Sequence, residues 1–261
     1  MRTVEKEIEK YYRMKGVYVL RIEELTDVGR VRQINEDNCT SFSKSGYSLA
    51  IVADGMGGHL AGEIASKMAV DIISKYIKKH LTPDLDRFQV KELANKAFKE
   101  ANREIYKYSC DNESVMGMGT TTTMCIIRDN TLIYAHVGDS RAYMIGKGIE
   151  QITNDHSYVQ ELVKLGQITP DEAKHHPRRN YITRAMGVEE SVRVDTGIKP
   201  YNGESVLICS DGLHGEIEDK EMLDIIKNNK LKDSVKALVN LAIERGGSDN
   251  ITAVVMEGEK S

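Results

Sequence analysis

The chain has 261 residues, 40% of them hydrophobic and 29% charged, with a formal net charge of −4. A domain of this length buries about three quarters of its unfolded surface, so one substantial core is within reach. The mild acidity offers no polycationic face for nucleic acid or anionic lipid, and no stretch reaches the roughly 18 apolar residues of a membrane span, so neither is an expected partner.

Residues 1–16 mix acids and bases without an apolar run, which fails as a secretory signal and reads as a charged leader, with Met14 an alternative start. The rest, 17–261, reads as one domain without linker or repeat. Stretches rich in β-branched and aromatic residues that end in turn signals predict strands over Val17 to Leu25, Tyr47 to Ala53, Thr120 to Arg128, Leu132 to Val137, Ala142 to Ile145, Ser205 to Cys209 and Ile251 to Met256. Helical spacing sets apart Ile64, Met68, Ile72, Tyr76 and Ile77, then Leu93, Ala97, Phe98, Ala101, Ile105 and Tyr108, then Val235, Leu238, Val239, Ala242 and Ile243. Each stripe is narrow, so each helix should bury one face. Residues 153–187 are polar, contain Pro170 and Pro177, and read as an insertion or lid rather than core. The four cysteines, Cys39, Cys110, Cys125 and Cys209, form no C-x-x-C pair and suit reduced thiols in a cytoplasm.

The chemistry lies in where the aspartates fall. Asp54 closes LAIVAD, Asp139 closes IYAHVGD, Asp211 closes VLICSD and Asp249 opens DNITAVVM. An Asp-Gly or Asp-Ser pair alone is a common turn signal, but four together, with Glu36 and Asp37, point to acids gathered at one rim. Crowded carboxylates repel, and a divalent cation relieves the repulsion; oxygen donors favour Mg²⁺, Mn²⁺ or Ca²⁺.

Six ordered blocks, DVGRVRQINED (27–37), VADGMGGHLAGEIAS (52–66), GMGTTTT (117–123), VGDSRAY (137–143), ICSDGL (208–213) and GGSDNIT (246–252), resemble the metal-dependent protein phosphatases, the protein phosphatase 2C family, in its compact bacterial form. The resemblance implies an α+β fold: a four-layer α-β-β-α sandwich of two antiparallel sheets flanked by helices, with a metal site at one edge. It implies Asp54 as the carboxylate bridging two Mn²⁺ or Mg²⁺ ions, the Gly55 carbonyl as a further ligand, and Asp211 with Asp249 on the first metal. Glu36 and Asp37 would serve the second metal, and Asp139 a third. Arg32 matches the family's phosphate-binding arginine, and a guanidinium grips two phosphate oxygens at once. Asn250 is a further candidate for a water or phosphate contact. The general acid has no matching residue: Met56 stands where animal-type members have His, and His59, His156, His175 and His176 read as structural or solvated.

The expected activity is hydrolysis of phosphoserine and phosphothreonine in proteins by direct attack of water. No C-x5-R or D-x-D-x-T nucleophile signature is present. Expected partners are a Ser/Thr protein kinase and its substrates, met by a cytoplasmic monomer. The alternatives are a non-catalytic binding relative and a phosphatase dedicated to one anti-anti-sigma-type protein.

Overall fold

A computed structural model describes residues 20–44, 46–57 and 60–258. The leader 1–16 with Met14, the first three residues of the expected Val17–Leu25 strand, and Gly58 with His59 lie outside the described residues. In chain order the elements are β1 (Leu20–Asp27), β2 (Asp37–Lys44), β3 (Tyr47–Met56), α1 (Leu60–His80), α2 (Arg87–Asp111), β4 (Gly119–Thr120), β5 (Thr122–Arg128), β6 (Thr131–Val137), β7 (Arg141–Ile145), β8 (Ile149–Gln151), α3 (Tyr158–Lys164), α4 (Pro170–Lys174), β9 (Asp195–Pro200), β10 (Ser205–Cys209), α5 (Asp211–His214), α6 (Asp219–Asn228), α7 (Leu231–Glu244) and β11 (Ile251–Gly258).

The strands form two antiparallel sheets. One has the order β1-β11-β10-β7-β8; the other has the order β2-β3-β5-β6-β9 with β4 paired to β3. Alternating side chains of the central strands feed different cores. Leu49, Ile51 and Ala53 of β3 face α1 and α2, while Ala50 and Val52 face the other sheet. In β10 and β11, Leu207, Cys209, Ala253 and Val255 face α6 and α7, while Val206, Ile208, Val254 and Met256 face inward between the sheets. Three stacked cores therefore separate four layers, helix on sheet on sheet on helix. Strands buried on both faces carry unbroken apolar runs, which is why these were the legible ones.

Three strands, β2, β8 and β9, had no apolar run to announce them, and each ends a sheet. An edge strand pairs on one side only and tolerates polar side chains, as in DNCTSFSK of β2. Two expected boundaries also moved. β3 continues past Asp54 because Gly55 and Met56 pair with Thr120 and Gly119 of β4, and the expected strand Thr120–Arg128 breaks at Thr121, whose N–H turns to the Asp54 carbonyl (2.8 Å).

The helix α1 buries a line that shares only Ile77 with the expected one. Ala61, Ala65, Ala69, Ile73 and Ile77 are its innermost residues, while Ile64, Met68, Ile72 and Tyr76 are half-buried at the rim. Small side chains let the helix sit close to the sheet. At its first turn a Cβ on Gly62 would lie 2.4 Å from Glu36 Oε1, and one on Gly55 would lie 2.1 Å from the Gly62 carbonyl. The helix α2 starts on a capping box, with Asp86 accepting from the N–H groups of Phe88 and Gln89 and Gln89 answering to the Asp86 N–H.

Residues 153–187 are not all lid. Thr153, Asp155, His156, Ser157, Val159, Ala185 and Met186 are buried, and the surface portion lies between them. The C-terminal end of this segment is held by Asn102, buried on α2. Its Oδ1 accepts from Gly187 N–H (2.8 Å) and its Nδ2 donates to the Glu189 and Glu190 carbonyls (3.0 and 3.2 Å). Asn102→Ala would strand the Gly187 N–H in the interior, at about 2 kcal/mol. Urea unfolding should show that loss as a lower midpoint at unchanged slope; a loss below about 0.5 kcal/mol, the scale of an ordinary surface change, would mean the clip is dispensable.

Candidate metal centre

The central strands deliver the acids to one end of the sandwich. Asp37 opens β2 and is the register partner of Asp54 on β3. Asp139 follows β6 in the turn to β7, Asp211 is the first residue of α5 after β10, and Asp249 immediately precedes β11. Both sheets thus contribute to one cluster.

Asp37 ties the sheets together. Its Oδ2 accepts from Ser210 Oγ (2.7 Å) and Thr252 Oγ1 (2.6 Å), both on the opposite sheet. Thr252 spends its single proton there, so Thr26 Oγ1 donates to Thr252 Oγ1 (2.7 Å) and itself accepts from Asn35 Nδ2 (2.8 Å). Asn35 Oδ1 then accepts the N–H of Asp37 (3.1 Å), closing the ring. The other oxygen, Asp37 Oδ1, is buried and makes no hydrogen bond, as are Oδ1 of Asp139 and of Asp211.

Such oxygens are costly in a dry interior, and the titration of these groups says so. Burial first, and the charges of Asp211 and Asp249 after it, push Asp37 up to about 7 although its two hydroxyl donors pull the other way. Asp54 is raised well above the ordinary carboxylate range by burial and then by Asp37, Asp211, Asp139 and Asp249. Asp139 is raised by burial, Asp211 and Asp155, and Asp211 by burial and Asp249, with its carboxyl in hydrogen-bonding contact with Asp54. Two carboxylates at that separation share a proton or a cation. The donors are all oxygen, which fits a hard divalent ion. Among the described residues no three such side chains close into a ready cage, so an ion here would keep several of its waters, as Mg²⁺ usually does.

Arg32 stands at the mouth, exposed, with its guanidinium on Asp249 Oδ2 (2.8 Å). Gly55 is buried in β3, and its N–H donates to the Glu36 carbonyl (3.1 Å). That bond and the Gly62 contact set Glu36 beside the cluster. Asn250 is placed differently from its sequence reading as a water or phosphate contact. Its Oδ1 accepts from Glu36 N–H (2.8 Å), and its Nδ2 donates to the carbonyls of Val28 and Ile34 (3.0 Å each). Its amide is spent on the backbone of the 28–36 loop, so it positions Arg32 and Glu36.

His156 also departs from the solvated reading. It is buried, and its Nδ1 accepts the Gly138 N–H (2.9 Å), which leaves Nε2–H to donate to Asp195 Oδ2 (3.1 Å). His214 Nε2 donates to the Asp139 carbonyl (3.0 Å), and burial pushes its pKa down to about 3. Sequence reasoning gave no role to Thr120, Thr121, Ser210 and Thr252. Thr120 Oγ1 donates to the Asp54 carbonyl (2.9 Å), and Thr121 Oγ1 accepts from Asp54 N–H (3.3 Å). A Cβ on Gly138 (φ +113°) would fall 2.4 Å from Thr121 Cβ. The signal was present in the GTTTT, CSD and DNIT blocks, as hydroxyls flanking the acids.

Comparison with known proteins meets the same site. Residues 29–255 match the sequence profile of protein phosphatase 2C. A serine/threonine phosphatase stp of Listeria monocytogenes is 40% identical over 236 residues, covering 89% of this chain and 93% of the relative. The crystal structure of serine/threonine phosphatase Stp1 from Staphylococcus aureus superposes with a TM-score of 0.87 at 36% identity, over 93% of this chain and 96% of that one. The catalytic domain of a serine threonine protein phosphatase, PstP, in complex with two manganese ions superposes with a TM-score of 0.79 at 32% identity, over 93% and 99%. Gathered acids, sheet order and sequence agree: this chain belongs to the protein phosphatase 2C family.

Proposed function

We propose that the chain hydrolyses phosphoserine and phosphothreonine monoesters of proteins at this cluster, with the carboxylates of Asp54, Asp211 and Asp249 and the Gly55 carbonyl holding two Mn²⁺ or Mg²⁺ ions together with Glu36 and Asp37. Asp139 and Asp211 would take a third. Bound ions of this kind supply an activated water and neutralise charge on the phosphoryl group. The observation that carries the reading is the set of buried carboxylate oxygens without hydrogen-bond donors, on Asp37, Asp139 and Asp211.

The chain's own groups bind and orient. Arg32 leaves one carboxylate oxygen for two phosphate oxygens, a redirection that costs little because an exposed ion pair is worth about 1 kcal/mol or less. Asn250 keeps the loop that carries Arg32 and Glu36 against β11. Thr120 and Thr121 hold the Asp54 backbone from both sides, and Asn35, Thr26 and Thr252 deliver donors to one oxygen of Asp37 so that the other faces the cluster. Such supporting contacts usually matter about 10- to 100-fold to metal affinity or activity.

The catalytic unit spans 17–261, with 153–187 as a flap beside the cleft. Among the described residues no helix is long and apolar enough to cross a membrane. All four cysteines are unpaired, which suits a reducing cytoplasm, where a monomer would act on a Ser/Thr kinase and its substrates.

Mn²⁺ should stimulate phosphate release from phosphothreonine peptides and p-nitrophenyl phosphate; full turnover in excess chelator would sink the reading. For Arg32→Ala, the KM for phosphopeptide should rise about tenfold with a smaller fall in kcat, and an unchanged KM would remove Arg32 from the phosphate's path. The raised acids also fix the sign of a pH effect. Between the unfolded value of about 4 and the folded value of about 7, the folded metal-free chain holds a proton on Asp37 that the unfolded chain releases, so stability falls as pH rises through that window. The buried His136 and His214, lowered by burial to about 4 and about 3, act in the opposite sense below about 6.5. Comparing melting with and without Mn²⁺ cancels them, because they bind no ion. The gain in Tm on adding Mn²⁺ should grow from pH 5.5 to 7.5; a gain that shrinks would contradict the cluster's protonation.

A further inference from the structure

One surface patch is unlike the rest of this acidic chain. Residues 174–184, KHHPRRNYITR, carry four basic residues, two histidines and no acid. Two of the four are already engaged: Lys174 lies near Asp171 and Glu218 (3.5 and 4.0 Å), and Arg184 pairs with Asp195 (2.9 Å). Arg178 and Arg179 have no ion pair among the described residues.

Arg178 is nevertheless held. Its guanidinium sits 5.6 Å over the Tyr158 ring and 6.0 Å over the Tyr181 ring. Tyr158 in turn lies 5.9 Å from the His176 ring, whose Nδ1 accepts the Arg178 N–H (3.1 Å). Tyr181 is 64% exposed, so its ring is open to solvent beside the guanidinium. The loop 176–181 folds on two consecutive turn bonds, Arg179 N–H to the His176 carbonyl (3.0 Å) and Tyr181 N–H to the Arg178 carbonyl (3.2 Å). An arginine braced by two rings, with its fork unclaimed by any carboxylate, loses little freedom when an anion arrives.

The patch is also registered against the metal centre. Tyr158 N–H donates to the Tyr181 carbonyl (2.8 Å), Thr183 N–H to the His156 carbonyl (2.8 Å), and His156 N–H to the Gly138 carbonyl (2.7 Å), one residue before Asp139. The base of the patch is thus joined by successive backbone bonds to the turn that carries Asp139.

We infer that Arg178 and Arg179, with the Tyr158–Tyr181 platform, form a second anion site that binds acidic side chains flanking the phosphorylated residue of the substrate protein. This rests on the phosphatase reading above and narrows it to substrates with acidic flanks.

The test uses the full chain loaded with Mn²⁺. Three phosphothreonine peptides are compared, with glutamate, glutamine or lysine at the flanking positions on either side, alongside p-nitrophenyl phosphate. The acidic peptide should have a kcat/KM about five- to tenfold above the neutral one, the scale of one or two exposed ion pairs, and most of that margin should vanish near 1 M salt. In R178A/R179A the margin should disappear through KM while p-nitrophenyl phosphate turnover is unchanged. Arg178→Glu should move the preference toward the lysine peptide. Equal rates on the three peptides, or a variant that slows p-nitrophenyl phosphate as much as the acidic peptide, would overturn the inference. Fluorescence anisotropy with labelled unphosphorylated peptides, which cannot turn over, keeps the two readings apart. Should p-nitrophenyl phosphate not be hydrolysed at all, the phosphatase reading fails, and selective binding of the glutamate peptide lost in R178A/R179A still decides for the anion site.

Discussion

Everything at this end of the molecule depends on holding like charges together without water. Asp37, Asp54, Asp139 and Asp211 are all raised above the ordinary carboxylate range, with burial as the first cause and the charge of neighbouring aspartates adding to it. Such an arrangement opposes folding wherever the acids are ionised, so it persists only because its backbone is set by other forces. Three apolar cores bring the strands to the cluster. Hydroxyls and amides then fix the last residues: Ser210 and Thr252 on Asp37, Thr120 and Thr121 on Asp54, Asn250 on the loop before Asp37. The polar frame is neutral and the functional groups are charged, which lets the frame be fully satisfied while the acids keep free oxygens for an ion.

Asp37 joins the two demands in one side chain. One oxygen belongs to the contact between sheets and the other to the cluster. A carboxylate used only to latch the sheets would have both oxygens bonded; one used only for an ion would need no donors from the opposite sheet. The relative position of the sheets and the position of the acids are therefore set together, and a shift of either sheet would change both.

Much of this was legible in the residues, and what was not has a physical reason. The double-faced strands β3, β5, β6, β10 and β11 show as apolar runs because each side faces a core, and the acids stand out because each interrupts such a run. The edge strands β2, β8 and β9 lacked that signal. On α1, large side chains drew attention to Ile64, Met68 and Ile72, whereas close packing on the sheet favours alanines at Ala65 and Ala69. Asn250 was read as a candidate water or phosphate contact and His156 as solvated, and only their three-dimensional partners, the Val28 and Ile34 carbonyls and the Gly138 N–H, reveal buried clips.

The 153–187 segment joins a fixed base to a variable surface. Its two legs are buried and bonded to fixed points, His156 to Gly138 and Met186 to Thr120. Gly138 is hemmed in by Thr121, so the legs adjoin backbone that also sets Asp139 and Asp54. Between the legs, from 160 to 184, no residue is fully buried. Substitutions there cost the core little and leave the acids where they are. A surface segment anchored this way is free to vary in charge and length without disturbing the acid cluster.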